Sequence, residues 1–283
     1  MERDAVEILK KHAKTFSFAS LFLGKQRTDE AARLYRFCRT VDDIADESMD
    51  TGHARKQLDE LQNDLKSGTT QDPLVKDFLD LAQSKGLDKQ AAMDLVDGVK
   101  SDLEHVRIQN MRDLETYCYN VAGTVGILMC PILGTSDPNA LKFGRDLGKA
   151  MQLTNICRDI KEDAQNDRVY LPEEKISNAL PDAAGQQNET VQNACKDLLD
   201  VAERLYDTAE YGIAYLPFRS KLCILIAARL YRQIGIKLAN KGCKYWQGRV
   251  YTTRPEKLWI SFKSVLRLFS SRKYWVKINY EQV

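Results

Sequence analysis

Apolar residues in this chain recur mostly three and four positions apart and seldom alternate, which is the pattern of helices that bury one face. The pattern predicts helices over the ranges 2–10, 51–66, 74–84, 89–105, 189–215 and 221–240. A further helix is predicted to begin with Thr28 or Asp29 as its cap and to continue through Tyr35 and Arg39. Together these elements predict an all-α protein.

The segment 114–129 is apolar on nearly every side, which is typical of a helix buried on most of its faces. We therefore expect it to line the centre of the molecule. Asp137 and Pro138 form a helix start, and the helix that they open is expected to carry Met151 forward into an acidic segment. Loops are predicted at 67–73, 164–172 and 181–188.

The composition gives no reason to divide the 283 residues, since 7 Pro and 15 Gly are spread over the whole length, and we expect a single domain over 1–283. Seven Cys without a Cys-x-x-Cys pair indicate reduced thiols in a cytoplasmic protein. The first residues lack the pattern of a signal peptide, and no stretch reaches the roughly eighteen uninterrupted apolar residues of a membrane span. The net charge of +2 comes from scattered residues and argues against nucleic-acid binding.

Residues 255–283 are predicted to form a basic amphipathic tail. Between 249 and 283 there are eight Lys or Arg and two Glu, and Trp259, Phe262, Leu266 and Phe269 fall on one helical stripe. Two interpretations stay open for this stripe. It either packs on the rest of the protein or binds a membrane surface, which would make the protein peripheral at the inner face of the membrane.

Two acidic segments contain Asp-x-x-x-Asp, and each would place two carboxylates on one face of a helix: Asp42 with Asp46, and Asp159 with Asp163. Like charges at this spacing destabilise a helix, so cations that neutralise them are the best explanation. Hard oxygen ligands favour Mg²⁺, with Mn²⁺ as the alternative ion. Asp43 has the same spacing to Glu47, and for that pair a solvated face and a supporting role are equally plausible.

Four stretches together resemble the squalene/phytoene synthase family of head-to-head prenyl synthases, over roughly residues 8–250. They are 12–16, which reads His-Ala-Lys-Thr-Phe, and the ranges 35–46, 117–126 and 152–172. The last stretch is the most specific, because it joins the second acidic segment to Asn155, Arg158 and the run Arg-Val-Tyr-Leu-Pro at 168–172. The order of these signals is most like that of bacterial phytoene synthases.

The resemblance implies a single isoprenoid-synthase-type bundle of helices around a central cavity, with the two acidic segments facing each other across it. It implies a prenyltransferase that joins two geranylgeranyl diphosphates, through a cyclopropylcarbinyl diphosphate, to phytoene and diphosphate. Prenyl diphosphate is then the substrate, and downstream carotenoid enzymes are expected partners. NADPH is not expected, since the chain lacks a long C-terminal extension and a Gly-rich dinucleotide loop.

The resemblance also assigns roles to single residues. The metal ligands would be Asp42, Asp46, Asp159 and Asp163. The substrate-binding residues would be His12, Lys14, Thr15, Tyr35, Gln152, Asn155, Arg158 and Arg168, and the catalytic residues Arg39, Tyr117 and Tyr231. Ser20 and Ala32 align with pocket-wall positions that are bulky in relatives taking farnesyl chains, so their small size favours geranylgeranyl diphosphate. Without the resemblance, His12 would be a structural histidine and the two tyrosines core aromatics.

Other functions would use the same features. A squalene, dehydrosqualene or hydroxysqualene synthase acting on farnesyl diphosphate would keep all of these site residues. A terpene cyclase or chain-elongating prenyltransferase shares aspartate motifs but would not need the 117–126 and 158–172 patterns together. A non-catalytic assembly factor on this fold should have lost acidic ligands, and here all four remain.

Overall fold

The computed structural model describes residues 5, 7–8, 14–46, 50–177, 179–181 and 187–283, and within these ranges the elements are helices joined by loops, with one isolated β-bridge. The prediction of an all-α protein is therefore confirmed. The helix predicted for 2–10 lies largely outside the described residues. The first helices are α1 (Lys14–Ser20), α2 (Lys25–Asp46), α3 (Thr51–Ser67), α4 (Pro73–Lys85) and α5 (Lys89–Ser101).

Aspartate caps mark where three of these helices begin. The side chains of Asp50, Asp72 and Asp88 accept hydrogen bonds from backbone N–H groups in the first turns of α3, α4 and α5. The predicted extents of α3 and α4 are confirmed to within one residue. Such local hydrogen bonds can be recognised in a sequence, which is why these boundaries were predictable.

Two predicted boundaries in this first part of the chain are wrong, and further along the helix predicted from 221 begins three residues earlier, at Phe218. Helix α2 begins at Lys25, because Gly24 adopts a φ of 89° and turns the chain before Thr28, which caps nothing and donates its hydroxyl to the Ser20 carbonyl at 3.2 Å. Helix α5 ends at Ser101 and not at 105. There the backbone N–H of Asp102 bonds back to the Val99 carbonyl at 3.0 Å, and the chain leaves the helix.

The predicted central helix is present. It consists of α6 (Met111–Cys118), a single wide π-helical turn (Tyr119–Gly123) and α7 (Thr124–Leu133). Its 23 residues are long and apolar enough to cross a membrane by length and composition alone, and they form part of the helical bundle here. A π-turn inside a helix often marks a functional site.

The next helix, α8 (Pro138–Gln165), crosses the central helix at very short range, with Asp137 as its cap. A Cβ atom added to Gly126 would lie 2.0 Å from the Gly144 carbonyl oxygen, and one added to Gly148 would lie 2.1 Å from the Ala122 carbonyl oxygen. The backbones are therefore in contact. Because α8 also carries the second acidic segment, this crossing sets that segment's distance from the centre.

The remaining helices complete the bundle. They are α9 (Glu173–Ile176), α10 (Glu189–Ala209), α11 (Phe218–Asn240) and α12 (Arg254–Ser270). Single 3₁₀ segments lie at Glu210–Tyr215, Tyr245–Gln247, Arg272–Tyr274 and Tyr280–Gln282. The helix predicted for 189–215 is thus split at residue 210 into an α-helix and a 3₁₀ segment. All seven cysteines are buried.

Candidate active site

An apolar cavity of about 300 Å³ lies at the centre of the bundle. Its walls come from α2, the central helix, α8, the 3₁₀ segment 210–215 and α11. Predicted site residues in these walls are Tyr35, Asp42, Gln152, Asn155 and Tyr231. Ala122 and Gly126 also line the cavity, as expected for small residues beside a chain-like ligand, whereas Gly123 packs against Arg145 and Tyr119 outside it.

A second, polar cavity of about 190 Å³ adjoins the first. The two share Asp42, Val121 and Gln152 in their walls. The polar cavity adds Ala45, Asp46, Val99, Asp102, Tyr117, Arg168 and Tyr170. A charged compartment that opens onto an apolar one fits a ligand with an anionic head and a hydrocarbon tail.

The first acidic segment lies at the boundary of the two cavities. Burial, opposed by Arg39 and reinforced by Asp46 and Asp102, raises the pKa of Asp42 to about 7. Asp46, one helical turn away, accepts a hydrogen bond from Arg168 at 2.8 Å. This contact joins the end of α2 to the loop that follows the second acidic segment.

The second acidic segment has one carboxylate in ion pairs and one, Asp163, that forms none with the described residues. Asp159 accepts two hydrogen bonds from Arg158, at 2.8 and 2.5 Å, and a third from Arg249 at 3.3 Å. For Asp163, burial together with the charges of Asp159 and Glu162 raises the pKa to about 7. Arg249, which also reaches Glu162 at 3.3 Å, was not singled out in the sequence.

Asp102 is a site residue that sequence reasoning missed. It lies just past the end of α5, and its carboxylate accepts hydrogen bonds from the hydroxyls of Tyr117 and Tyr170, both at 3.1 Å. The two tyrosine rings stack at 4.9 Å. Burial raises the pKa of Asp102 to about 6, and the two phenol hydrogen bonds and Arg168 limit the rise.

The oxygen atoms of the two acidic segments and of Asn155 have the chemistry of ligands for a hard divalent cation. Asp42 and Asp163 are carboxylates whose ionised form is disfavoured by burial and by neighbouring acids. The Asn155 Oδ1 atom is buried and has no hydrogen-bond partner in the part of the chain that the structure describes. Among the described residues, no three His, Cys, Asp or Glu side chains converge as a ligand set, so the acids alone do not form a closed cage. A cation that keeps waters and binds substrate phosphate does not need one.

The remaining predicted site residues are not in the walls of either cavity or lie outside the described residues. Arg39 forms an ion pair with Asp43, one helical turn away, and its buried Nε atom has no hydrogen-bond partner among the described residues. Thr15 lies half-buried on α1. His12 lies outside the described residues, as does the side chain of Lys14.

The structure does not place Ser20 and Ala32 on the described cavity wall. Ala32 is buried against Phe16 and Tyr35, and these two aromatic side chains form the wall in front of it. Ser20 is buried, with its hydroxyl bonded to the Ser17 carbonyl at 2.9 Å. Ala32 therefore acts on the cavity through a layer of other side chains.

Known proteins are similar to this chain in sequence and in fold. The squalene/phytoene synthase family profile matches residues 9–256. A phytoene synthase from Pseudescherichia vulneris is 32% identical over 270 residues, which cover 90% of this chain and 87% of the relative. A 15-cis-phytoene synthase from Pantoea ananas is 32% identical over 284 residues, which cover 95% of this chain and 92% of the relative.

A solved dehydrosqualene synthase in complex with a ligand superimposes with a TM-score of 0.83 at 24% identity, covering 95% of this chain and 97% of that one. This likeness confirms the predicted bundle of the isoprenoid-synthase type. The family match spans the two acidic segments, the central helix and all of α11. The chain belongs to the squalene/phytoene synthase family.

Proposed function

We propose that the protein is a phytoene synthase that joins two geranylgeranyl diphosphates head to head in a Mg²⁺-dependent reaction. The observation that carries the proposal is the shared wall of the two cavities, where Asp42 and Gln152 face both an acidic compartment and an apolar one. Relatives that match over most of their length and are named phytoene synthases support the choice of product.

In this proposal, the polar cavity holds the diphosphates. Arg158, Arg168 and Arg249 already lie at the acidic segments, and each can exchange its carboxylate partner for phosphate oxygens. Asp42, Asp46, Asp159 and Asp163, with Asn155, would hold Mg²⁺, which supplies Lewis-acid assistance to the departure of diphosphate. Binding the head group there directs the prenyl tail into the apolar cavity.

The apolar cavity then protects the allylic cation from water. Its wall presents the rings of Phe16, Tyr35 and Tyr231, whose faces can stabilise passing positive charge. The cation alkylates the double bond of the second substrate, and loss of a proton gives the cyclopropylcarbinyl diphosphate. Tyr117, whose hydroxyl is bonded to Asp102, is placed to relay a proton at the polar end.

The decisive test is incubation of the purified protein and Mg²⁺ with geranylgeranyl or farnesyl diphosphate, each with and without NADPH. We expect phytoene from geranylgeranyl diphosphate without NADPH, identified by its mass. A product formed only from farnesyl diphosphate would support the shorter-chain alternative. No product from either substrate would reject catalysis and favour the assembly-factor alternative. The assay matters because Ser20 and Ala32 do not contact the cavity directly.

Asp102→Asn is expected to lower kcat about tenfold, because the asparagine removes the negative charge and keeps an acceptor oxygen for only one of the two phenols. Asp102 raises the pKa values of Asp42 and Asp163, so its neutralisation should also shift the acidic limb of the pH–rate profile to lower pH. Asp94→Asn is the matched control, since Asp94 accepts from Tyr119 at 2.9 Å outside both cavities. An unchanged profile in Asp102→Asn would contradict its role.

We also propose that residues 1–283 act as one prenyl synthase domain in the cytoplasm. The seven buried thiols suit a reducing compartment. Association with enzymes that consume a carotenoid precursor would follow from the proposed product. Co-purification with such enzymes, compared with purification of the chain alone, would test this association.

A further inference from the structure

Helix α12 turns its most apolar face away from the bundle, which packing on the bundle alone does not explain. It buries Ser261, Ser264 and Leu268. The large apolar side chains Leu258, Trp259, Phe262, Leu266 and Phe269 are instead 54 to 66% exposed. These five positions fall within about 100° of the helix circumference, so they form one continuous stripe.

The stripe continues onto neighbouring elements. Phe218, the first residue of α11, places its ring 6.1 Å from that of Phe269 and 6.5 Å from that of Trp275, and all three are exposed. Arg219 then donates to the Phe22 carbonyl at 3.3 Å, which brings the turn containing the exposed Leu21 to the same region. We name this set the apolar surface: the five α12 residues with Phe218, Trp275 and Leu21.

Positive charge borders the apolar surface. On α12, Lys263 and Arg267 directly follow Phe262 and Leu266 and are exposed, and the Lys263 ammonium lies 4.9 Å from the centre of the Trp259 ring. Arg272 and Lys277 are exposed in the segment beyond the helix. A band of aromatic rings with a rim of cations is the composition of a surface that meets anionic lipid headgroups.

The apolar surface also lies next to the end of the apolar cavity. Ile213 and Leu216 line the cavity, and Phe218 follows Leu216 by two residues. Ser220, in the first turn of α11, donates to the carbonyl of another wall residue, Leu133, at 2.7 Å. The chain therefore connects the hydrocarbon end of the cavity to the exposed rings over less than one helical turn.

We propose that the apolar surface docks the protein peripherally onto an anionic lipid bilayer, with α12 lying in the interface. Docking itself does not depend on the proposed activity. If that activity is correct, docking places the hydrocarbon end of the cavity beside the phase in which prenyl tails and a hydrocarbon product dissolve. The charge rim favours an anionic bilayer over a second copy of this chain, whose identical surface would bring like charges together.

The test is flotation of the full chain with vesicles of phosphatidylcholine alone and with phosphatidylglycerol added. We expect binding to the anionic vesicles that weakens as salt rises. Trp259→Ser combined with Phe262→Ser should abolish flotation. Lys263→Glu combined with Arg267→Glu should weaken it by about tenfold or more, since each cation near an anionic surface contributes roughly fivefold in affinity.

Two control variants match these changes. Leu180→Ser removes a similarly exposed apolar side chain on the loop between α9 and α10, and Lys56→Glu with Lys66→Glu makes the same charge change on α3. Both should float like the parent. Circular dichroism and light scattering of each variant report folding and oligomeric state without reference to activity.

Three results would overturn the proposal: a parent protein that does not bind anionic vesicles, patch variants that bind as well as the controls, or a parent dimer that Trp259→Ser with Phe262→Ser converts to monomers. The last would identify the surface as a self-interface. Turnover of detergent-solubilised substrate, measured separately, distinguishes a failure of docking from a failure of the proposed function.

Discussion

Asp42→Asn is expected to abolish turnover and to raise the stability of the ligand-free protein at neutral and alkaline pH. Burial raises the pKa of Asp42 from 3.8 to about 7, so the folded protein binds a proton that the unfolded chain releases. The free energy of unfolding therefore falls as pH rises from about 4 to about 7 and stays low above that range. Asparagine cannot ionise and escapes a penalty on the order of 2 to 4 kcal/mol at alkaline pH.

Asp159→Asn provides the contrasting variant, because the same substitution should act on stability in the opposite direction. Asp159 is paired with Arg158 and Arg249, so its neutralisation leaves the largely buried Arg158 without its carboxylate and leaves Arg249 with Glu162 alone. We expect turnover to be lost here as well, with the unfolding free energy lowered by about 1 to 3 kcal/mol. The exposed Asp80→Asn, on α4, should change neither property.

Denaturant unfolding at about pH 5 and pH 8, together with turnover, measures these differences. The gain in Asp42→Asn should be largest at the higher pH and clearly smaller at the lower one, where the carboxyl of the folded parent is protonated although that of the unfolded chain is still largely ionised. An Asp42→Asn protein that retains full activity would refute the assigned role. One that loses stability at pH 8 would refute the account of its burial.

Features that depend only on residues near one another in the sequence could be predicted for this protein. Asp72 with Pro73, and Asp137 with Pro138, place helix starts correctly because the capping hydrogen bonds form within two or three residues. The nearly all-round apolar character of 114–129 likewise predicts a central helix, since such a segment can only be buried. The carboxylate pairs were recognisable because residues four apart lie on the same face of a helix, so the spacing alone places the two carboxylates side by side.

Features created by tertiary contact were not predictable. Asp102 has no motif around it, and its role arises because Tyr117 and Tyr170, 15 and 68 residues away, both point their hydroxyls at it. Arg249 likewise reaches Asp159 across 90 residues. Ala32 lies one layer of side chains behind the cavity wall that it was predicted to form. Alignment to a family places a position near a cavity, but it does not show that Phe16 and Tyr35 lie between that position and the cavity.

Gly148→Ala is expected to cost at least about 3 kcal/mol of stability, although alanine is ordinarily the better helix former by about 1 kcal/mol. The added Cβ would lie 2.1 Å from the Ala122 carbonyl oxygen and 2.7 Å from its carbon, both backbone atoms that no rotamer change can move. The variant can relieve the clash only by moving α8 away from the central helix. That movement would carry Asn155 and Asp159 with it, so turnover should fall even in the fraction that stays folded.

Thermal unfolding of Gly148→Ala against Gly52→Ala measures this effect. Gly52 lies in the first turn of α3, where, among the described residues, a new Cβ would meet the Asp50 side chain alone, at 3.2 Å, so that variant should be within about 1 kcal/mol of the parent. A Gly148→Ala protein with parental stability and turnover would mean that the helix crossing is looser than the backbone contact indicates. In that case the spacing of the two acidic segments would have to be set by side chains, with Arg168 and its contact to Asp46 the first candidate.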